Sequence, residues 1–181
     1  SENLAGGVAT TSLAFGSNST TVTDALNSIR TYNFQILLSL TKSTGQNQPG
    51  GAGCGPASSH LTYDANGNVA TRTDFNGVQT IYTFDLTRNL ETKRVEASGK
   101  PEVRTINTQW HAYWRQPVKV AEPKKRTTWV YNGDGGAYCA PTTATVPSIN
   151  GGTQPIGVVC SRTEPATTDT NGTLGFSATL T

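Results

Sequence analysis

Oxygen-bearing side chains at alternate positions are the first place in this sequence where chemistry is conceivable. Asp64, Asn66 and Asn68 are spaced like the first ligands of a calcium loop, since calcium prefers carboxylate and amide oxygens. The segment lacks the distal glutamate that completes an EF-hand, and Asp and Asn also bond their own backbone in tight turns. We therefore predict a turn here and no metal site.

The remaining candidates for catalysis are weaker. His60 and His111 are the only histidines, and neither has a second His or a Cys at zinc-like spacing. A glycine-rich segment lacks both the helix start and the Lys-Ser/Thr pair of a phosphate loop; its glycines are Gly50, Gly51, Gly53 and Gly55. No pattern supports a Ser-His-Asp site. We predict no cofactor and no enzymatic activity.

One aromatic cluster has two interpretations. Trp110, Tyr113 and Trp114 lie within a single short segment. Such a cluster serves either as a platform on which sugars stack or as packing between strands, because aromatic side chains supply much of the burial in a chain poor in Leu. We favour packing and keep a cell-surface glycan as the alternative ligand.

Composition indicates the elements that must position these residues. The chain is 34% hydrophobic and 14% charged, with many Thr, Asn, Ser and Gly, which is typical of a β-rich protein. A net charge of +2 is too small to favour nucleic acid as a partner. The sequence contains no run of 18 apolar residues, so we predict no membrane span. The predicted fold class is all-β, built from repeated antiparallel hairpins in a curved or spiralling sheet.

Turn signals place these hairpins. Asn66-Gly67 and Asn76-Gly77 predict type I′ turns, because both central residues of such a turn need positive φ. Val69 to Thr73 and Val78 to Phe84 are predicted strands beside them. Further towards the N-terminus, Ile36 to Lys42 is a predicted strand and Gln46 to Ser59 a predicted loop.

A spacing pattern shows that these hairpins are copies of one unit. Asp74, Gly77, Tyr82 and Phe84 are separated by three, five and two residues, and the same intervals recur from Asp24 through Asn27 to Phe34. A periodic unit of this kind indicates a repeat architecture. We assign a structural role to the following positions: Asp24, Tyr32, Phe34, Tyr63, Asp64, Gly67, Asp74, Gly77, Tyr82, Phe84, Asp85, Arg88, Tyr131, Asp169 and Gly172.

The positions of Cys, Pro and Gly residues suggest that the chain has three regions. Cys139 and Cys160 bracket a Pro- and Gly-rich excursion and either form a disulfide or stay reduced. Residues 1–136 are predicted to form the repeat sheet, 137–161 an inserted loop, and 162–181 the start of a further, truncated repeat. The sequence contains no Met, so we expect a segment of a longer protein.

The repeated unit resembles a known family. Tyr63-Asp64-x-x-Gly67, Thr73-Asp74-x-x-Gly77 and Tyr82-x-Phe84-Asp85-x-x-Arg88 are similar to the YD repeats of RHS (rearrangement hotspot) proteins of proteobacteria. In that family, YD repeats form a long β-sheet that spirals into a hollow shell around a C-terminal toxin. The resemblance implies a wall segment of such a shell, secreted or at the bacterial cell surface. Its partners would be the remainder of the shell and an enclosed toxin domain.

Two alternatives to a purely structural wall are retained. The aromatic cluster at Trp110 to Trp114 would bind a cell-surface glycan or protein. The open edges of a sheet would pair with another copy of the chain and produce self-association.

Overall fold

The computed structural model describes residues 2–3, 10–147, 151–165 and 167–175. The described residues form antiparallel β-strands, with helical structure confined to a single 3₁₀ turn. The predicted all-β class with antiparallel hairpins is therefore confirmed. Two compact units are present: residues 1–81 with 98–100, and residues 82–97 with 101–181.

Strands of the first unit follow one another in chain order, each antiparallel to the next. They are β1 (Glu2–Asn3), β2 (Thr10–Phe15), β3 (Ser19–Thr23), β4 (Ile29–Leu37), β5 (Leu40–Gln48), β6 (Ala57–Tyr63), β7 (Val69–Thr73) and the beginning of β8 (Gln79–Asp85). Their residues are rich in Thr, a β-branched residue that fits a half-buried pleated surface. The predicted strand at Val69 to Thr73 coincides with β7.

A tight turn interrupts the segment that we predicted as one strand from Ile36 to Lys42. Leu37 pairs with Leu40, and the two residues between them have φ values of 53° at Leu38 and 62° at Ser39. Two positive φ angles in a two-residue loop define a type I′ hairpin turn. The strand prediction was wrong because Leu-Ser contains none of the residues that usually adopt this conformation.

The loop predicted from Gln46 to Ser59 is shorter than expected. Strand β5 runs to Gln48 and β6 starts at Ala57, with Gln48 paired to Ala57. Only the glycine-rich stretch between them is irregular, and Gly51 and Cys54 form an isolated bridge there. The two strands extended because Asn, Gln and Ser, which favour loops, are also acceptable on exposed strand positions.

The second unit contains the buried core. Its strands are the end of β8, β9 (Leu90–Ser98), β10 (Arg104–Trp110), β11 (Pro117–Glu122), β12 (Lys125–Tyr131) and β15 (Val159–Thr163). Among the described residues, the buried hydrophobic side chains are Leu90, Ile106, Ala121 and Tyr131. All four lie on β9 to β12, so this unit is the better packed of the two.

A small hairpin lies between β12 and β15. Strands β13 (Thr145–Pro147) and β14 (Thr153–Pro155) pair with each other, and a 3₁₀ turn occupies Asp134–Gly136. The region from 137 to 161, predicted as a loop, therefore contains two short strands and the first three residues of β15. Within the described part of the chain, no helix has the length and hydrophobicity needed to cross a membrane.

Candidate functional site: Asp corners and the Arg88 brace

Five Asp side chains occupy equivalent positions in the structure. Each carboxylate accepts a hydrogen bond from the backbone N–H two residues later, at 2.8 to 2.9 Å; the five are Asp24, Asp64, Asp74, Asp85 and Asp169. We call this arrangement an Asp corner. A carboxylate that accepts local N–H groups closes a turn and ends the strand before it.

The corner at Asp64 shows the full set of contacts. Its Oδ1 accepts from the N–H groups of Asn66 and Asn68, both at 2.9 Å, and its Oδ2 accepts from the side-chain amide of Asn68 at 2.9 Å. Burial raises the pKa of Asp64, but these hydrogen bonds and one from the Gly67 N–H outweigh it, so the pKa lies below the ordinary 3.8. The carboxylate is therefore ionised and already committed to its own backbone.

The turn type differs from the type I′ turn that Asn-Gly predicted. The Gly67 N–H donates to the Asp64 carbonyl at 3.0 Å, and the Asp64 N–H donates to the Asn68 carbonyl at 2.9 Å. Positive φ occurs at Gly67, with 79°, but not at Asn66. This is a type I turn followed by a G1 bulge. The prediction was wrong because the Asp carboxylate stabilises Asn66 in the ordinary right-handed region.

The same bulge recurs at the corners of Asp24 and Asp74, and the corner of Asp169 shares its positive φ. Gly77 has φ of 72° and Gly172 has φ of 63°, while Asn27 takes φ of 60° at the equivalent position. Asn tolerates the left-handed region better than other non-glycine residues do. The replacement of glycine by Asn27 therefore preserves the corner.

Tyr63 links its corner to the preceding hairpin of the first unit. Its hydroxyl donates to the Ser43 carbonyl at 2.5 Å, and the Lys42 ammonium lies 5.6 Å from its ring centroid. The same ammonium donates to the Gly67 carbonyl at 3.2 Å. Lys42 thus holds both the aromatic residue and the glycine of this repeat.

Arg88, the arginine of the repeat motif, braces the aromatic segment of the second unit. Its Nη1 donates to the His111 carbonyl at 2.7 Å, and its Nη2 donates to the Trp114 carbonyl at 2.8 Å. A guanidinium fork that contacts two carbonyls fixes the path of the chain between them. Arg88 therefore connects a repeat residue to the cluster singled out in the sequence.

His111 is a buried structural residue within this brace. Its side chain is 8% exposed, and its Nδ1 accepts from the N–H groups of Tyr113 and Trp114 at 3.1 and 3.2 Å. The proton consequently resides on Nε2, which donates to Asp134 Oδ1 at 3.0 Å. Nδ1 carries the only free lone pair of this tautomer, and it already accepts from two backbone N–H groups, so it is not available to take a proton from a substrate in this arrangement.

Tyr131 and Asp134 complete the cluster beneath His111. Asp134 Oδ2 accepts from the Tyr131 N–H at 3.2 Å, and the Tyr131 hydroxyl donates to the Pro117 carbonyl at 2.8 Å. Burial and the nearby Asp134 carboxylate raise the pKa of Tyr131. The Tyr131 and His111 rings meet edge to face with centroids 5.4 Å apart. The sequence analysis missed Asp134. The available signal was the segment Tyr131-Asn132-Gly133-Asp134, in which the Asp follows the glycine instead of the aromatic residue.

The three candidate ligand-binding aromatics do not share one surface. Trp110 lines an open groove of about 480 Å³ and donates its indole N–H to the Glu91 carbonyl at 2.8 Å. Tyr113 and Trp114 line a separate cleft of about 70 Å³ beside His111. The structure therefore does not bring the aromatic run together as one platform.

The cysteines are differentiated by the fold. Cys139 and Cys160 form a disulfide with their Cα atoms 5.4 Å apart, and Cys54 is exposed as a free thiol. Within the same region, Asn132 Oδ1 accepts from the N–H groups of Cys139 and Ala140 at 3.0 and 3.1 Å. The bridge and Asn132 together fix the start of the segment that follows β12.

The described residues contain no group of three or more His, Cys, Asp or Glu side chains placed to hold a metal ion. The remaining aromatic residues of the repeat lie within strands, Tyr32 and Phe34 on β4 and Tyr82 and Phe84 on β8. None of them contributes to the Arg88 brace. The arrangement as a whole orders turns and holds hairpins in register.

Comparison with known proteins agrees with the geometry of the corners. Residues 63–101, which include the corners at Asp64, Asp74 and Asp85, match the family model described as RHS Repeat. A comparison with curated proteins finds no match to this chain. The segment from 63 to 101 is therefore similar to an RHS repeat, and the Asp corner that it contains recurs outside it at Asp24 and Asp169.

Proposed function

We propose that this repeat segment is part of the wall of an RHS-type shell, which encloses a toxin domain outside this sequence and helps deliver it. The wall would be secreted or displayed at the bacterial surface, and its partners would be the rest of the shell and the enclosed toxin. We also propose that the segment itself has no catalytic role.

The recurrence of the Asp corner carries this proposal. A catalytic carboxylate has to leave an oxygen available to substrate. Here the same carboxylate geometry occurs at Asp24, Asp64, Asp74 and Asp169, and each time the side chain bonds to backbone N–H groups. A feature that is copied along the chain and consumed by local hydrogen bonds supports a structural wall.

Protease protection tests the wall in the natural protein that contains this sequence. In the intact protein, we expect the toxin domain to resist a protease that rapidly digests the same domain expressed alone. Arg88→Met should expose the toxin domain, because the brace to His111 and Trp114 is lost. Arg104→Met is the matched control, since Arg104 is exposed and pairs only with a surface glutamate. Equal digestion of the enclosed and free toxin domains would exclude an enclosing function.

The groove at Trp110 supports glycan binding as a second candidate function. It places the indole beside amide and hydroxyl groups of Asn107, Gln109 and Thr92, a combination suited to sugars. On a glycan array, Trp110→Ala should abolish binding, whereas Trp114→Ala, which alters the other cleft, should retain it. Identical arrays for the unmodified chain and Trp110→Ala would exclude this site.

Strand β2 supports self-association as a third candidate. All six of its residues are exposed and uncharged, and its described pairing with β1 ends at Thr11. Beyond Thr11, no described strand pairs with the β1 side of β2, and a strand side without charge or proline is a template for another strand. Light scattering should show a mass that rises with concentration, and replacing Leu13 with Lys should suppress the rise. A strict monomer at high concentration would exclude this function.

A further inference from the structure

Residues 167–175 bind to a sheet face of the second unit through their backbone. Three donors from different places in that unit converge on carbonyl oxygens of this segment. The Asn107 side chain donates to the Gly172 carbonyl at 2.7 Å, the Lys119 ammonium to the Leu174 carbonyl at 3.2 Å, and the Lys124 N–H to the Asp169 carbonyl at 2.5 Å. Asn107 lies on β10, Lys119 on β11, and Lys124 in the turn before β12.

Gly172 sits where no side chain fits. A Cβ atom at this position would lie 2.2 Å from the Thr105 carbonyl oxygen and 3.0 Å from the Ala121 carbonyl oxygen. Contacts under 3.0 Å with backbone atoms force the structure to move. The face therefore selects a corner whose bulge residue is glycine.

The bound segment is itself an Asp corner. Asp169 Oδ1 accepts from the Asn171 N–H at 2.8 Å, and its Oδ2 accepts from the Thr173 hydroxyl at 2.6 Å and the Thr173 N–H at 3.2 Å. These bonds preorganise the turn, so less conformational entropy is lost when it binds. In the described residues 167–175 no strand follows the corner, unlike the corners at Asp64 and Asp74.

We propose that the face formed by Asn107, Lys119 and Lys124 is a receptor for peptide segments carrying an Asp-x-Asn-Gly corner. The receptor binds residues 167–175 of its own chain and accepts the same corner from a separate polypeptide. Because its donors contact carbonyl oxygens, the receptor reads the shape of the backbone and tolerates variation at the second position. This interaction is independent of any toxin and of the proposed wall function.

A pair of asparagine variants tests the glycine requirement in the full chain. Gly172→Asn and Gly77→Asn place the same residue at the same corner position, where Asn27 shows that Asn adopts the required φ. At Gly77 a Cβ would meet no atom within 4 Å. We expect the amides of 169–174 to exchange hydrogen at least about tenfold faster in Gly172→Asn than in the unmodified chain. Gly77→Asn should leave those amides unchanged.

A second variant, on the receptor face, controls for the case in which Gly172→Asn does not fold. Asn107→Ala removes one donor from β10 and creates no steric overlap, so it should also accelerate exchange at 169–174, by a smaller factor. Near-ultraviolet circular dichroism reports whether each variant retains its packed tryptophans. Unchanged exchange at 169–174 in both variants, with folding intact, would overturn the proposal.

A synthetic peptide with the sequence of residues 167–175 tests binding from a separate molecule. Calorimetric titration into the Gly172→Asn chain should give saturable 1:1 binding with a dissociation constant no weaker than about 1 mM. The unmodified chain should bind the peptide at least about tenfold more weakly, because its own segment competes at high effective concentration. A peptide with Asn in place of its bulge glycine should not bind. Equal binding of the two peptides, or no binding to the folded variant, would overturn the receptor.

Discussion

Replacing Arg88 with methionine is the most informative test of how the repeat motif stabilises the second unit. The guanidinium makes two charge-assisted hydrogen bonds, at 2.7 Å to the His111 carbonyl and at 2.8 Å to the Trp114 carbonyl. Each such bond is worth about 1.5 to 3 kcal/mol where it is shielded from water. Arg88 is half-buried, so we expect a total loss of about 2 to 4 kcal/mol in the free energy of unfolding. Arg88→Lys keeps one donor and should lose about half of that.

Tryptophan fluorescence during urea denaturation is the appropriate assay. The three tryptophans, Trp110, Trp114 and Trp129, all belong to the second unit, so their emission reports that unit alone. Arg104→Met provides the control, because Arg104 is 50% exposed and its 2.8 Å ion pair with Glu96 lies at the surface. Exposed pairs of this kind contribute about 0 to 1 kcal/mol.

The order of the three Arg variants decides whether the brace is real. Arg88→Met should be the least stable, Arg88→Lys intermediate, and Arg104→Met close to the unmodified chain. If Arg88→Met lies within about 0.5 kcal/mol of Arg104→Met, the two carbonyl contacts do not hold the aromatic segment, and the assignment of Arg88 is refuted.

Three further predictions concern turns, protonation and the disulfide. Replacing Leu38-Ser39 with Asn-Gly should raise the free energy of unfolding by about 1 to 2 kcal/mol, because L residues at positive φ cost roughly that amount; an unchanged melting temperature would contradict it. The pKa of Asp64 is lowered from 3.8, so its stabilising effect is complete above pH 3.8 and is lost as the pH falls through the folded-state pKa. The stability advantage of the unmodified chain over Asp64→Asn should therefore shrink between pH 6 and pH 3, as measured by the midpoints of urea denaturation. Reducing the Cys139–Cys160 bridge should cost about 3 kcal/mol, measured by tryptophan fluorescence with and without reductant, and an unaltered midpoint would show that the loop contributes no closure entropy.

The repeat was predictable because its spacing survives changes of residue. Asp24 and Asp74 lie in corners of the same length, although the first corner has Asn27 where the second has Gly77. The positions that matter accept only a few residue types, a short carboxylate and a residue that tolerates positive φ. Because few residue types are accepted at these positions, their regular spacing can be detected in the sequence.

The exact turn geometry was not predictable from the dipeptide alone. Asn-Gly favours type I′ when it stands between two strands, and it was interpreted that way at Asn66 and Asn76. An Asp two residues before the Asn captures its N–H and changes the turn to type I with a bulge. The four-residue motif Asp-x-Asn-Gly therefore determines the turn conformation, and the Asn-Gly dipeptide alone does not.

The type I′ turn at Leu38-Ser39 left no local signal. Leu and Ser are not turn formers at positive φ, so their conformation is imposed by the pairing of β4 with β5. The Arg88 brace was hidden for a related reason, because Arg88 and His111 are distant in sequence and meet only after β9 and β10 have paired. Long-range contacts of this kind require the fold to be known.

In each Asp corner, the carboxylate accepts from the backbone N–H two residues later, a hydrogen bond that does not require a particular side chain at that position. One such residue, Leu26, is 87% exposed, while the equivalent position holds Asn66 in another corner and Asn171 in a third. The position two residues after the Asp therefore accepts different side chains, and at Leu26 a fluorophore, an affinity tag or a short foreign epitope can be grafted. A repeat that supports structure through its backbone thus provides a display scaffold whose outward chemistry can be changed one corner at a time.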